Sequence, residues 1–276
     1  MNASYKFIFP LSDDVIKRKT DNFIGYDKLI CEIKKISDII FGNKNKIPVK
    51  VLNYFSINGN VILYGKPGVG KTSISYKIAS YVLKKYHIKS YQLSIADIIE
   101  TNLGKTTSNM KSAIEEIKSI SKEYGALLIL DEVDRLFIDR ENDKEISELK
   151  RMLIEFMDFL DNLTINDKIM IIGITNLINI LDSAFTRRFI FQYEIKNDEK
   201  VLYELIKDSN KLLSIEMSEK DLKHYAKLFY KKEKTCDFVK SVYRKEILNS
   251  FDKPKELKNN IIKNLKKWRT KLCLCQ

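Results

Sequence analysis

Histidine and tryptophan are scarce in this sequence, with two and one among 276 residues, and cysteine and proline stop at four each. His87 and His224 are far apart, and of Cys31, Cys236, Cys273 and Cys275 only the last two are close. A structural zinc site needs four ligands at short spacing, so this set does not furnish one. Neither is it the dense framework of a small disulfide-stapled domain, and reduced thiols are expected. No apolar run approaches the roughly 20 residues that span a bilayer. The N-terminal segment MNASYKFIFPLSDD lacks a basic stretch followed by a long apolar core, so it is not read as a secretory leader. The expectation is a soluble cytoplasmic protein with no membrane partner.

What is present is globular. Hydrophobic residues make up 44% and charged residues 31%, on a chain long enough to bury a substantial core. The formal net charge is +12, which favours contact with phosphates or acidic partners but says nothing of fold. Lysine, isoleucine and asparagine are abundant throughout, so the charge is weak evidence for nucleic-acid binding.

Apolar runs alternate with helical periodicity. Residues Tyr26–Phe41 place Leu29, Ile30, Ile33, Ile36, Ile39 and Ile40 at helical spacing, and Gly42 and Asn43 stop the helix. Val61–Tyr64 reads as a buried strand and Thr72–Tyr86 as a helix; Tyr91–Ile95 is a second strand before a helix over Thr107–Tyr124. Ala126–Leu130, Ile169–Thr175 and Phe189–Ile195 read as further strands, with a helix over Lys144–Leu163 between the first two. Short apolar strands between helices imply a parallel sheet covered on both faces, an α/β fold with five strands. After Ile195 the strand pattern ends and four helical patterns remain, near 198–213, 218–231, 236–249 and 254–272, with Pro254 in a first helical turn. The expected domains are a short extension over 1–20, an α/β domain over 21–195 and a small helical lid over 196–276.

Gly65-Lys66-Pro67-Gly68-Val69-Gly70-Lys71-Thr72 matches G-x-x-x-x-G-K-[ST] between a strand and a helix, the context that motif requires. Its glycines let backbone N–H groups curl around phosphates, and the helix adds its positive end. Lys71 would reach the β- and γ-phosphates of ATP, and the Thr72 hydroxyl would ligate Mg²⁺. The strand Ala126–Leu130 delivers Asp131 and Glu132 at its C-terminal end, where open α/β sheets bind ligands. Asp131 would hold Mg²⁺, and Glu132 would polarise the attacking water. Asp134 is read as a member of a surface salt-bridge network.

These motifs resemble the AAA+ ATPases, most clearly from Asp21 to Ile195. Asp21-Asn22-Phe23-Ile24-Gly25 looks like the segment that lies against adenine, which makes Ile24 and Gly25 candidate ATP contacts. Gly65–Thr72 is similar to Walker A and Leu128–Glu132 to Walker B. Ile172–Asn176 resembles sensor 1, and Leu181–Phe189 resembles the arginine-finger segment. The family's strand order, 5-1-4-3-2, would put Asn176 between the phosphate loop and the Asp131–Glu132 pair, where it can orient the water. Arg187 and Arg188 would project into the next subunit's site, so the resemblance implies a homo-oligomeric ring, usually a hexamer. Two arginines are not left unpaired in a protein interior.

The segment Ser94–Thr107 takes the place of the family's first pore loop. Asn102 stands before Leu103-Gly104 where substrate-threading members carry an aromatic residue. Gly104–Thr107 and Glu145–Arg151 are similar to small stand-alone bacterial members, in which Glu148, Lys150 and Arg151 would make subunit contacts; the alternative is a solvated helix face. In the lid, Thr235–Phe238 sits where members of the family begin a lid helix close to the nucleotide; no second-sensor arginine is assigned, and Lys240 and Arg244 are candidates only. The reading is an ATPase that remodels a protein, with substrate specificity supplied by a separate protein partner. The alternatives are a nucleic-acid motor or loader and a nucleotide-dependent scaffold.

Overall fold

A computed structural model of the chain describes residues 6–21, 23–42, 46–99, 105–137 and 143–270. Two compact units divide it: one from 1–23, 27–65 and 71–194, the other from 24–26, 66–70 and 195–276.

The first unit runs β1 (Ile8–Pro10), α1 (Asp13–Thr20), α2 (Asp27–Gly42), α3 (Val49–Tyr54), β2 (Gly59–Tyr64), α4 (Lys71–Tyr86), β3 (Ser90–Leu93) and α5 (Ile95–Ile98). It continues with α6 (Lys105–Tyr124), β4 (Ala126–Leu130), α7 (Asp143–Asp161), β5 (Ile169–Thr175), α8 (Ser183–Thr186) and β6 (Phe191–Glu194). The sheet order is β1-β3-β4-β5-β2-β6. The five strands from β2 onward are parallel, in the order expected from the resemblance.

A sixth strand extends the expected sheet. Within the stretch 1–20, expected as a short extension, β1 pairs antiparallel to β3 with Ile8 opposite Leu93. Three residues ending in proline suit an edge, where a missing N–H breaks no ladder. The same stretch adds α1, whose Ser12 side chain accepts from the Val15 N–H as an N-cap.

The inner strands are buried along their length: every residue of β4 and β5, and all of β2 but its last. That pattern belongs to strands covered on both faces. In the register of β2 and β5, a Cβ on Gly59 would stand 2.7 Å from the Ile169 carbonyl oxygen, so the site admits no side chain. Helix α7 presents Leu149, Met152, Phe156, Phe159 and Leu160 to this core, where Phe156, Phe185 and Phe189 pack together. The C-terminal ends of β2, β5 and β4 are neighbours in the sheet and carry the chemistry-bearing residues.

The second unit holds α9 (Glu199–Leu212), α10 (Glu219–Lys231), α11 (Cys236–Asn249) and α12 (Leu257–Thr270). Asp198, Ser218 and Thr235 cap the first three with side-chain oxygens. Leu202, Ile206, Phe229, Val239, Ile261 and Leu265 form a core of its own. Burial raises the Tyr243 hydroxyl well above its usual pKa, and it donates to Asn210 at 2.9 Å. Among the described residues no helix is long and apolar enough to cross a membrane.

Candidate functional site

The phosphate-loop sequence leaves β2 at Tyr64 and enters α4 at Lys71. Gly65, Gly68 and Gly70 have φ of 143°, 77° and 109°, values open to glycine and strained for other residues. The Lys71 ammonium is buried; it donates to the Gly65 carbonyl at 2.7 Å and to the Asn176 side-chain oxygen at 2.8 Å. Burial lowers its pKa below the usual lysine value, and the carboxylates of Asp131 and Asp134 pull the other way. The Thr72 hydroxyl donates to Asp131 at 3.3 Å.

Glu132, next in the chain, has φ +55°, uncommon for a residue with a side chain. Its N–H donates to Asp131 at 3.0 Å, and its carboxylate pairs with Arg135 at 2.5 Å. Five predicted residues from three strand ends therefore converge in one unit: Lys71, Thr72, Asp131, Glu132 and Asn176. Asp134 departs from expectation. It makes no surface salt bridge; it is buried and accepts from the Thr175 hydroxyl at 2.7 Å and the Asn176 N–H at 3.3 Å. The third acid of the loop folds back onto β5 because a 3-10 turn over Val133–Phe137 follows Glu132 directly.

The remaining loop candidates, Lys66, Pro67, Gly68, Val69 and Gly70, belong to the second unit, as do Ile24 and Gly25. Lys66 pairs with Glu233, and the Asp237 N–H donates to the Gly68 carbonyl at 3.2 Å. A Cβ on Gly68 would meet Asp237 Cβ and Thr235 Oγ1 at 2.9 Å, and one on Gly25 would meet Val201 at 2.4 Å. Pro67 is exposed and Val69 buried. Tyr26, absent from the sequence candidates, donates its hydroxyl to the carbonyls of Val69 at 2.9 Å and Lys196 at 3.1 Å. No motif flags this tyrosine, because its bond joins residues 43 and 170 positions away.

The two candidate arginines are not equivalent. Asp182 caps the single-turn helix α8, and Arg187 and Arg188 follow it. Arg187 is exposed. Arg188 is mostly covered: it forms an ion pair with Asp161 at 2.9 Å and donates to the Ala184 carbonyl. The guanidinium of Arg188 is thus engaged within its own chain, and that of Arg187 is exposed. Glu148, expected at a subunit contact, is buried and accepts the Thr107 N–H at 2.9 Å near the start of α6. Lys150, Arg151 and Lys240 are exposed, and Arg244 pairs with Asp237. Asn102, Leu103 and Gly104 lie outside the described residues, as do Cys273 and Cys275. Burial pushes the Cys236 thiol up to about 11, which leaves it protonated and unreactive.

The donor set fits Mg²⁺. Among the described residues no cluster of three or more His, Cys, Asp or Glu could hold a metal by itself. One hydroxyl and one carboxylate in contact, Thr72 and Asp131, suit an ion that keeps waters and takes its other ligands from substrate phosphates.

A glycine-rich sequence that joins a buried strand to a helix opening with Lys71, with two carboxylates at the end of another strand of the same sheet, defines a P-loop nucleotide-binding fold. Residues 61–197 match the family model described as "ATPase family associated with various cellular activities (AAA)". The chain belongs to the AAA+ ATPase family. It is 26% identical over 193 residues to the ATP-dependent zinc metalloprotease FtsH 2 of Thermoanaerobacter sp. (strain X514), covering 68% of this chain and 35% of that protein. It is 29% identical over 133 residues to Cell division protein C of Sulfolobus acidocaldarius, covering 47% and 34%. The chain thus spans about a third of the length of these relatives. A chain of the E. coli MS115-1 HORMA:CdnC:Trip13 complex shares the fold, with TM-score 0.77 and 16% identity over 95% of both chains.

Proposed function

We propose that the chain is a Mg²⁺-dependent ATPase that works in an oligomer and couples turnover to remodelling a protein partner. The observation that carries this reading is the convergence of Lys71, Thr72, Asp131, Glu132 and Asn176 at the ends of three neighbouring strands. Thr72 and Asp131 would hold Mg²⁺, and the bound ion would offset charge on the ATP phosphates. Lys71 would exchange its bonds to Gly65 and Asn176 for bonds to phosphate oxygen. Glu132 would accept a proton from the attacking water, with Asn176 orienting that water. To do so Glu132 has to leave Arg135, an exposed ion pair of the kind that contributes little.

Arg187 of a neighbouring copy would complete the site, as a guanidinium stabilises charge on the transferring phosphoryl group. Its exposure supports this role, and the engagement of Arg188 within its own chain favours Arg187 over Arg188. A closed ring, hexameric in the usual case, is the arrangement in which every Arg187 finds a site. The fold's likeness to a chain from a complex that includes a HORMA protein supports a protein partner. A nucleic-acid partner is the second reading, favoured by Lys220, Lys223, Lys227 and Lys231, all exposed along one face of α10.

The ATPase rate measured against chain concentration tests the reading, with and without DNA at two salt concentrations. Specific activity that rises with concentration supports a shared site, and activity that is flat contradicts it. Stimulation by DNA with a steep salt dependence would move the target to nucleic acid.

A further inference from the structure

Of the acidic loop's three carboxylates, Asp134 alone is buried, and its contacts lie with β5. The ladder between β4 and β5 ends at Leu130 opposite Gly173, so Asn176 stands three residues beyond it. No sheet hydrogen bond fixes that end of β5 to the acidic loop. Asp134 does so instead. Glu132, at φ +55°, reverses the chain, and the turn that follows returns Asp134 to the strand end. One oxygen, Oδ1, accepts from both the Thr175 hydroxyl and the Asn176 N–H. The Thr175 oxygen in turn accepts the Leu177 N–H at 3.0 Å. Three consecutive residues are thereby tied, directly or through Thr175, to one carboxylate. Hydrogen bonds to an ionised acceptor are about twice as strong as neutral ones, and a buried charge without them is costly.

We propose that Asp134 is a positioning residue for ATP hydrolysis: through Thr175 and the Asn176 backbone it fixes the end of β5, so that the Asn176 side chain keeps its place beside Asp131 and Glu132 when Lys71 turns to phosphate. The proposal rests on the ATPase reading above and assigns Asp134 no contact with nucleotide. Because Asp134 acts on the backbone of Asn176, removing the Asn176 side chain leaves nothing for Asp134 to position.

A kinetic cycle tests it, with Asp134→Ala, Asn176→Ala and the double variant, each checked by thermal melting and by affinity for a non-hydrolysable ATP analogue. Displacement of a site group by about 1 Å can cost 100-fold, so Asp134→Ala is expected to lower kcat at least about tenfold with analogue affinity within about twofold. In the Asn176→Ala background the same change is expected to cost less than about twofold. Asp134→Asn keeps an Oδ1 acceptor and is expected to restore most of kcat. Should Asp134→Ala not fold, Thr175→Val removes the linking hydroxyl with little change of shape and is expected to lower kcat in the same direction. Multiplicative losses in the double variant overturn the proposal, as does equal loss of affinity and turnover with no rescue by Asp134→Asn. A wild-type chain that binds the analogue but never turns ATP over overturns the ATPase reading and this proposal together; active wild type with multiplicative losses overturns this proposal alone.

Discussion

The Lys71 ammonium donates to the Asn176 side-chain oxygen at 2.8 Å, joining the start of α4 to the end of β5 across two neighbouring strands. The buried ammonium has an amide and a carbonyl among its partners, and the charges of Asp131 and Asp134 oppose its desolvation without outweighing it. On the proposed reading, this partly desolvated ammonium is the group that meets the phosphates of ATP.

Lys71→Ala is expected to abolish ATP binding, measured with a fluorescent ATP analogue. Glu132→Gln is expected to keep binding and lose turnover by about 100-fold or more, the scale of general-base catalysis. Equal loss of binding in both variants would show that Glu132 serves binding and not turnover.

Arg187→Ala and Arg188→Ala are expected to fail differently. Arg187 is exposed, so its removal should shift stability by no more than about 0.5 kcal/mol while turnover falls by about 1,000-fold or more. Arg188→Ala breaks the ion pair with Asp161 and the bond to Ala184, and is expected to cost about 1–2 kcal/mol in urea melts. Identical melts for the two variants would refute the distinction.

Gly59→Ala is expected to destabilise the first unit by about 1–3 kcal/mol, because its Cβ would press on the backbone of β5 at Ile169 and Met170. A urea midpoint equal to wild type would show that β2 and β5 can separate to admit a methyl group.

Asp38 gives a pH signature. Burial alone would raise its carboxyl, but donors on Tyr86, Lys85 and Tyr81 outweigh that and hold it below its ordinary value of 3.8. A carboxylate with a lowered pKa in the folded chain contributes stability above 3.8, and that contribution is lost as pH falls further. Asp38→Asn is therefore expected to be less stable than wild type near neutrality, with the gap narrowing below that pH in thermal melts. A constant gap would contradict the assignment.

The inner sheet was legible because its strands are buried on both faces and read as short apolar runs: Ala126–Leu130 and Ile169–Thr175 have the expected bounds. The lid helices were legible from apolar spacing and capping residues, and three have starts marked by Asp198, Ser218 and Thr235. Strand β1 was not, because three residues ending in proline carry no period, and their pairing partner lies some eighty residues away. Helix α3, six residues with Leu52 alone buried, was equally silent. Within the site, motif spacing reached Lys71, Thr72, Asp131 and Glu132, and the family resemblance reached Asn176. It could not reach the buried turn of Asp134, the bond of Tyr26 to Val69, or the difference between Arg187 and Arg188. Each of those depends on where a distant backbone group lies.

The central claim, a site completed by a neighbouring copy, is tested most directly by mixing two inactive chains. Arg187→Ala retains Glu132, and Glu132→Gln retains Arg187, so an interface between them can hold one complete site. The account predicts that each variant alone is nearly inactive and that the mixture regains ATPase activity, with a maximum near equal proportions. A mixture as inactive as its components, in chains that still associate, would contradict it.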